Sequence, residues 1–192
     1  MDVTLMIAAF TTLFVVIDPI GLAPIFVALT QGMPPAQRHA IATRACLLAV
    51  GILLLFGFLG EAVLSFIGIS MGAFQISGGI LLFITALQML FEERTRKRRE
   101  KGAAAVEDDT RDPSVFPLAI PLIAGPGAIA AMILLMGEAA GGLINTAIVL
   151  SIMCSVVMLV WLFFLSAGVI ERLLGATGIV VVTRLLGMLL AA

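Results

Sequence analysis

Asp18-Pro19-Ile20-Gly21-Leu22-Ala23-Pro24 lies in the middle of an apolar run that extends from about Leu5 to Leu29. A carboxylate, two prolines and a glycine are costly there. Each proline removes a backbone donor and crowds the preceding turn. In lipid, the freed carbonyls need partners inside the protein or in a water-filled cavity. Such a break belongs either to a packed kink or to a site. The pattern then recurs. Pro121-Leu122-Ile123-Ala124-Gly125-Pro126 again places four small or aliphatic residues between two prolines, displaced by 102 positions at both ends.

The surrounding chain fixes the class. Of its 192 residues, 61% are hydrophobic and 12% charged, and the mean hydropathy is +1.21. A soluble domain carries about 25% charge. Too few polar residues remain to cover a globule, so the chain reads as an all-α, polytopic membrane protein in contact with the lipid bilayer. The first run has no basic flank and is too long for a cleaved signal peptide. The net charge of −1 says nothing about partners, because the charges gather in one connection. Cys46 and Cys154 lie inside apolar runs and read as small packed residues, not as a disulfide or a metal pair.

Apolar runs fall at about 5–29, 43–67, 72–91, 115–137 and 144–169, with a sixth from 179. A spanning helix needs about 20 such residues. The sixth run holds 14, from Ile179 to Ala192, and is expected to be a truncated span of a longer native chain. The expected organisation is a first three-helix half over 1–91, a charged linker over 92–114 and a second half over 115–192. The linker opens with Glu92-Glu93-Arg94-Thr95-Arg96-Lys97-Arg98-Arg99-Glu100-Lys101. It reads as a mobile, solvated cytoplasmic loop that sets topology, not as a nucleic-acid-binding segment. With six spans, the basic residues at 38, 44, 94–101, 111 and 172 share one side, while Asp2, Glu61 and Glu138 face the other. Basic residues are retained in the cytoplasm, so the N-terminus is expected to be periplasmic and the linker cytoplasmic, in a bacterial plasma (inner) membrane.

The echo continues beyond the prolines. Ile67-Gly68-Ile69-Ser70 matches Leu174-Gly175-Ala176-Thr177 at an offset of 107, and Gly79-Ile80-Leu81-Leu82 matches Gly187-Met188-Leu189-Leu190 at 108. Three spans per half make the second half inverted. Broken helices in corresponding positions of inverted repeats are the best sequence pointer to a transporter site near the midplane. Pro24 and Pro126 read as first residues of new helical halves. The amides and dipole ends so exposed suit an anion, or the carboxylate of a zwitterion. Kinks used only for packing are the plain alternative.

The candidate binding residues are therefore Asp18, Pro19, Gly21 and Pro24 at the first break, and Pro121, Gly125, Pro126 and Gly127 at the second. Gln75 and Ser77, with Thr183 in the repeat, are candidates for a polar path, beside Thr85; hydroxyls in membrane helices more often bond their own backbone. Asp18 is an intramembrane carboxylate and a functional candidate by default. Arg184, the basic residue inside an apolar run, is its candidate partner, or snorkels to the boundary. His39 stands alone. No His/Cys cluster, nucleophile–base set or phosphate loop occurs, so no metal, cofactor or enzymatic activity is expected.

These residues carry a family resemblance over essentially the whole chain. Asp18-Pro19-Ile20-Gly21 followed by Pro24, Ser77-Gly78-Gly79-Ile80-Leu81-Leu82-Phe83, Ala119-Ile120-Pro121 through Gly125-Pro126, and Arg184-Leu185-Leu186-Gly187 together resemble the MarC family of bacterial inner-membrane proteins. That family is more distantly similar to LysE-type exporters. Many members have asparagine where this chain has Leu22, which removes hydrogen bonding from that position. The resemblance implies a six-span plasma-membrane protein of unsettled function. The expected function is export of an unknown small solute, anionic or zwitterionic, from a site between the two breaks. The alternative is a non-transporting structural or stress-related membrane protein. A homo-oligomer is compatible with either.

Overall fold

The computed structural model describes residues 3–107, 112–139 and 142–191. The first apolar run forms α1 (Val3–Ile17) and α2 (Pro19–Leu29), separated by Asp18 alone. The second forms α3 (Pro35–Ile67) and the third α4 (Met71–Leu90). Gly68, at φ 86°, ends α3, and the Ser70 hydroxyl accepts from the Ala73 amide to start α4. The charged linker contributes α5 (Glu93–Glu107). An irregular segment, Ser114–Ile123, leads into α6 (Pro126–Ala139), followed by α7 (Leu143–Leu165) and α8 (Ala167–Ala191).

Four segments are long and apolar enough to cross a membrane: Met6–Leu29, Pro35–Ile67, Met71–Leu90 and Leu143–Leu165. A fifth is added if Ser114–Ile123 and α6, bent by 56°, count as one span. In the last apolar run only the shorter helix Thr177–Ala191 is found, beyond a non-helical Gly175 (φ 61°) inside α8.

The core forms where α1, α2, α3, α6 and α7 meet. Along α7, Val149, Met153, Val156, Val160 and Phe164 are buried, and Phe164 stacks on Phe26 of α2 with ring centroids 4.5 Å apart. Small residues on α3, from Ala42 through Ala49 to Gly60, let neighbours approach closely. The outward faces of α3 and α4 carry Leu47, Leu55, Phe58, Ile76, Ile80 and Phe83, all exposed. That is the surface expected where lipid is the solvent.

The charged linker differs from the mobile loop expected of it. Residues 93–107 are helical. They are rich in good helix formers, and Lys97–Glu93 (3.6 Å) and Arg96–Glu100 (3.7 Å) pair one turn apart, the spacing that supports a helix. α5 also packs on α2 and α4 instead of standing free. Arg98 is buried, and a Cβ placed on Gly102 would come within 3.1 Å of Ile25.

Candidate functional site

The first break is a single residue wide. Asp18 adopts the left-handed conformation (φ 58°, ψ 66°), which aspartate and asparagine tolerate better than other side-chain-bearing residues. Its amide still closes α1 by donating to Phe14 O, and its carbonyl accepts from Leu22 N to open α2. Its Oδ1 accepts from the Gly21 amide at 3.1 Å. Gly21 is needed here: a Cβ at that position would lie 2.2 Å from Asp18 Oδ2.

This corrects the reading of Pro24. The new half-helix begins at Pro19, and Pro24 lies inside α2. Proline suits the first helical position, and the Asp18 cap lets the helix resume one residue after the break. The second break behaves as the sequence implied: the chain is irregular up to Gly125, and α6 starts at Pro126. Ile120, aligned with Asp18 in the repeat, is extended (φ −125°, ψ 124°).

The two breaks come together. Gly127, in the first turn of α6, sits against Val16 near the end of α1, close enough that a Cβ there would be 3.1 Å from Val16 Cγ1. Beside this contact lies a cavity of about 210 Å³. Its wall takes in Pro121, Gly125, Pro126 and Gly127 from the second break and Thr85 and Gln88 from α4. The remaining polar wall comes from α5, through Arg94, Lys97 and Arg98.

Arg98 enters the first break. Its Nη1 donates to Asp18 Oδ2 at 3.2 Å and its Nη2 to Ile17 O at 3.1 Å. The paired side chains are 8% and 2% exposed. Arg94 lies one turn earlier on α5. It donates through Nη2 to Val16 O and through Nη1 to Met89 Sδ. Burial and the neighbouring Arg98 charge pull its pKa down to about 9, with Asp18 opposing the shift, so the guanidinium remains charged at neutral pH. Thus the carbonyls before the first break, which a regular helix would satisfy, take arginine donors instead.

The expected Asp18–Arg184 pair is not formed. Asp18 pairs with Arg98, and Arg184 pairs with Glu92 at the head of α5. Gln75 and Ser77 are exposed on α4 and away from the cavity; the Ser77 hydroxyl donates to Ala73 O. Thr183 is buried, with no hydrogen-bond partner for its hydroxyl among the described residues, and it does not line the cavity. Thr85 does line it while donating to Leu81 O. Among the described residues, no three His, Cys, Asp or Glu side chains group as metal ligands would.

Sequence reasoning missed Arg94, Lys97, Arg98 and Gln88. The available signal was the spacing of Arg94, Arg98 and Gly102, which places them on one helical face. Opposite that face, Arg96 and Glu100 pair on the solvent side, while the Glu93/Lys97 pair lies on the flank, where Lys97 reaches the cavity rim.

Comparisons with known proteins find relatives that are membrane proteins. A family profile described as MarC family integral membrane protein matches residues 3–192. A UPF0056 membrane protein of Methanocaldococcus jannaschii is 37% identical over 193 residues, covering 100% of this chain and 93% of that one. Membrane protein YvbG of Bacillus subtilis is 37% identical, covering 95% and 86%. Inner membrane protein YhgN of Escherichia coli is 34% identical, covering 96% and 89%. No solved structure matches. With a match along nearly its entire length, this chain belongs to the MarC family of integral membrane proteins.

Proposed function

We propose that the protein is a small-solute transporter, working as an exporter, whose binding site is the cavity between the two broken helices. The observation that carries this reading is the cavity itself. It combines unwound backbone, the start of α6 and charged side chains beside an intramembrane carboxylate, a combination that in membrane proteins lines solute paths. In this reading the spans form two inverted three-helix halves in a plasma membrane. The N-terminus lies outside and α5 lies at the cytoplasmic mouth, as the one-sided Lys and Arg distribution supports. An exported solute would load from that side. No catalytic role is proposed for any residue.

One observation favours the non-transporting alternative. The Asp18–Arg98–Ile17 network is closed on itself, as a purely structural break would be. An untargeted comparison of solutes retained by cells with and without the protein separates the two. Accumulation of a defined solute set in cells lacking the protein supports export; identical profiles support the structural reading. Orientation has its own check. A cysteine at exposed Arg96 should resist periplasmic labelling while one at Glu138 reacts. The reverse pattern would invert the topology.

A further inference from the structure

We propose that the cavity is a site for a small net-anionic solute bearing a carboxylate or phosphate, with Arg94 as its principal ligand. This rests on the transport reading for the site's purpose and goes beyond it in choosing the chemical class. The charged groups on the cavity wall are Arg94, Lys97 and Arg98, and no acid lines it among the described residues. The three cations are not equivalent. Arg98 is neutralised by Asp18 and bonded to Ile17 O. Lys97 is half exposed and has Glu93 at 3.6 Å. Arg94 forms no salt bridge among the described residues, and the nearby Asp18 is bonded to Arg98; its donors meet one backbone carbonyl and a thioether. A thioether is a weak acceptor, and a guanidinium has five donors arranged to match a carboxylate or phosphate. Arg94 and Arg98 share the single Asp18 carboxylate, so this buried cluster holds one positive charge in excess, which an anion in the cavity would balance.

The opposite wall adds to this. α6 is 14 residues long, and its first amides, at Gly127 and Ala128, have no intrahelical acceptors by the geometry of a helix start. Gly125 and Gly127 both line the cavity, and their missing side chains allow the close packing of Gly125 on Pro121 O and of Gly127 on Val16. A zwitterion fits less well, since Asp18, the nearby carboxylate, is occupied by Arg98. The volume also bounds the ligand. At about 210 Å³ the cavity is smaller than the roughly 300–1,000 Å³ of drug-sized sites, so a few-carbon acid or a phosphate fits.

The test is ligand-dependent thermal stability of the purified full chain in neutral detergent at constant ionic strength. The probes are succinate, inorganic phosphate, glycine and choline. The expected result is a concentration-dependent rise in melting temperature with succinate or phosphate and none with glycine or choline. Arg94→Gln should weaken the anion effect by about ten- to a hundredfold, the range for a charge-assisted hydrogen bond. Because Arg94 also bonds Val16 O, a folding defect is a risk. Lys97→Gln, at a half-exposed position, provides the second arm and should weaken binding about threefold. Repetition in nanodiscs of phosphatidylcholine or phosphatidylglycerol separates a free anion from a lipid headgroup. Stabilisation by phosphatidylglycerol alone, with no response to either free anion, would overturn the proposal. So would a glycine response equal to that of succinate, or anion responses unchanged in both variants. Failure here leaves the transport reading to its own solute-accumulation test, and anion binding without any solute moved would do the converse.

Discussion

Removing the charge of Asp18 should destabilise the protein through Arg98, and the cost can be divided among three effects. The paired side chains are 8% and 2% exposed, so the range of about 0–1 kcal/mol for surface pairs does not apply. Deleting one partner of a buried pair strands the other and costs about 3–5 kcal/mol. Asp18→Asn should cost this and little more, because asparagine keeps an acceptor for the Gly21 amide and tolerates φ 58°. Asp18→Ala should cost about 2 kcal/mol beyond that. It loses the cap, worth about 0.5–2 kcal/mol, and places alanine in the left-handed region, at about 1–2 kcal/mol. Arg98→Met leaves the carboxylate stranded instead. The Asp18→Asn/Arg98→Met double variant strands neither charge, so its cost should fall short of the sum of the singles by about 2 kcal/mol, within the range seen for coupled neighbours. Denaturant unfolding of the four variants in micelles supplies the numbers. Additivity within about 0.5 kcal/mol, or an Asp18→Asn cost below about 1 kcal/mol, would refute the claim that this pair holds the first break.

Gly21→Ala should reproduce part of the Asp18→Asn defect in the same unfolding assay, because the new methyl would lie 2.2 Å from Asp18 Oδ2 and push the carboxylate off Arg98. Gly187→Ala should cost about 1–3 kcal/mol by overpacking: the added carbon would lie 2.8 Å from Met89 Cβ and 3.1 Å from Ala86 O, where α8 crosses α4. Asp112, in the connection before the irregular segment, has its pKa lowered chiefly by the Ser114 hydroxyl, with Arg44 assisting. A lowered folded value means its contribution is complete above the unfolded pKa of about 3.9 and is lost as pH falls through the folded value. Asp112→Asn should therefore flatten that acid limb of the stability profile, and an unchanged limb would count against the linkage.

Local features were legible in the chain, while partners distant in sequence were not. The prolines and the glycine marked both breaks because their backbone restrictions act within a turn. The boundary at Pro126 followed from that chemistry; the boundary at Pro19 was misplaced because two prolines competed for one helix start and Asp18 capped the earlier one. The faces of α4 were not legible, since hydropathy averages around a helix and could not say that Gln75 and Ser77 point outward while Thr85 and Gln88 point in. α5 was misread for a different reason. Its charge density resembles that of a solvated loop, and the groups that satisfy Arg98 lie 80 and 81 residues away. Arg184 was matched with Asp18 because both are ionisable groups in apolar runs. The non-helical Gly175 redirects α8 before Arg184, which is found beside Glu92 instead.

The central claim, that the space between the two breaks carries a solute, is tested most directly by untargeted efflux from liposomes. Purified wild-type protein, Arg94→Gln and protein-free liposomes are loaded with a small-molecule extract of cells, and the retained solutes are compared by mass spectrometry. The account predicts selective loss of one or a few small anions from wild-type liposomes and retention of the same anions with Arg94→Gln. Retention profiles of wild-type liposomes identical to those of protein-free liposomes would contradict it.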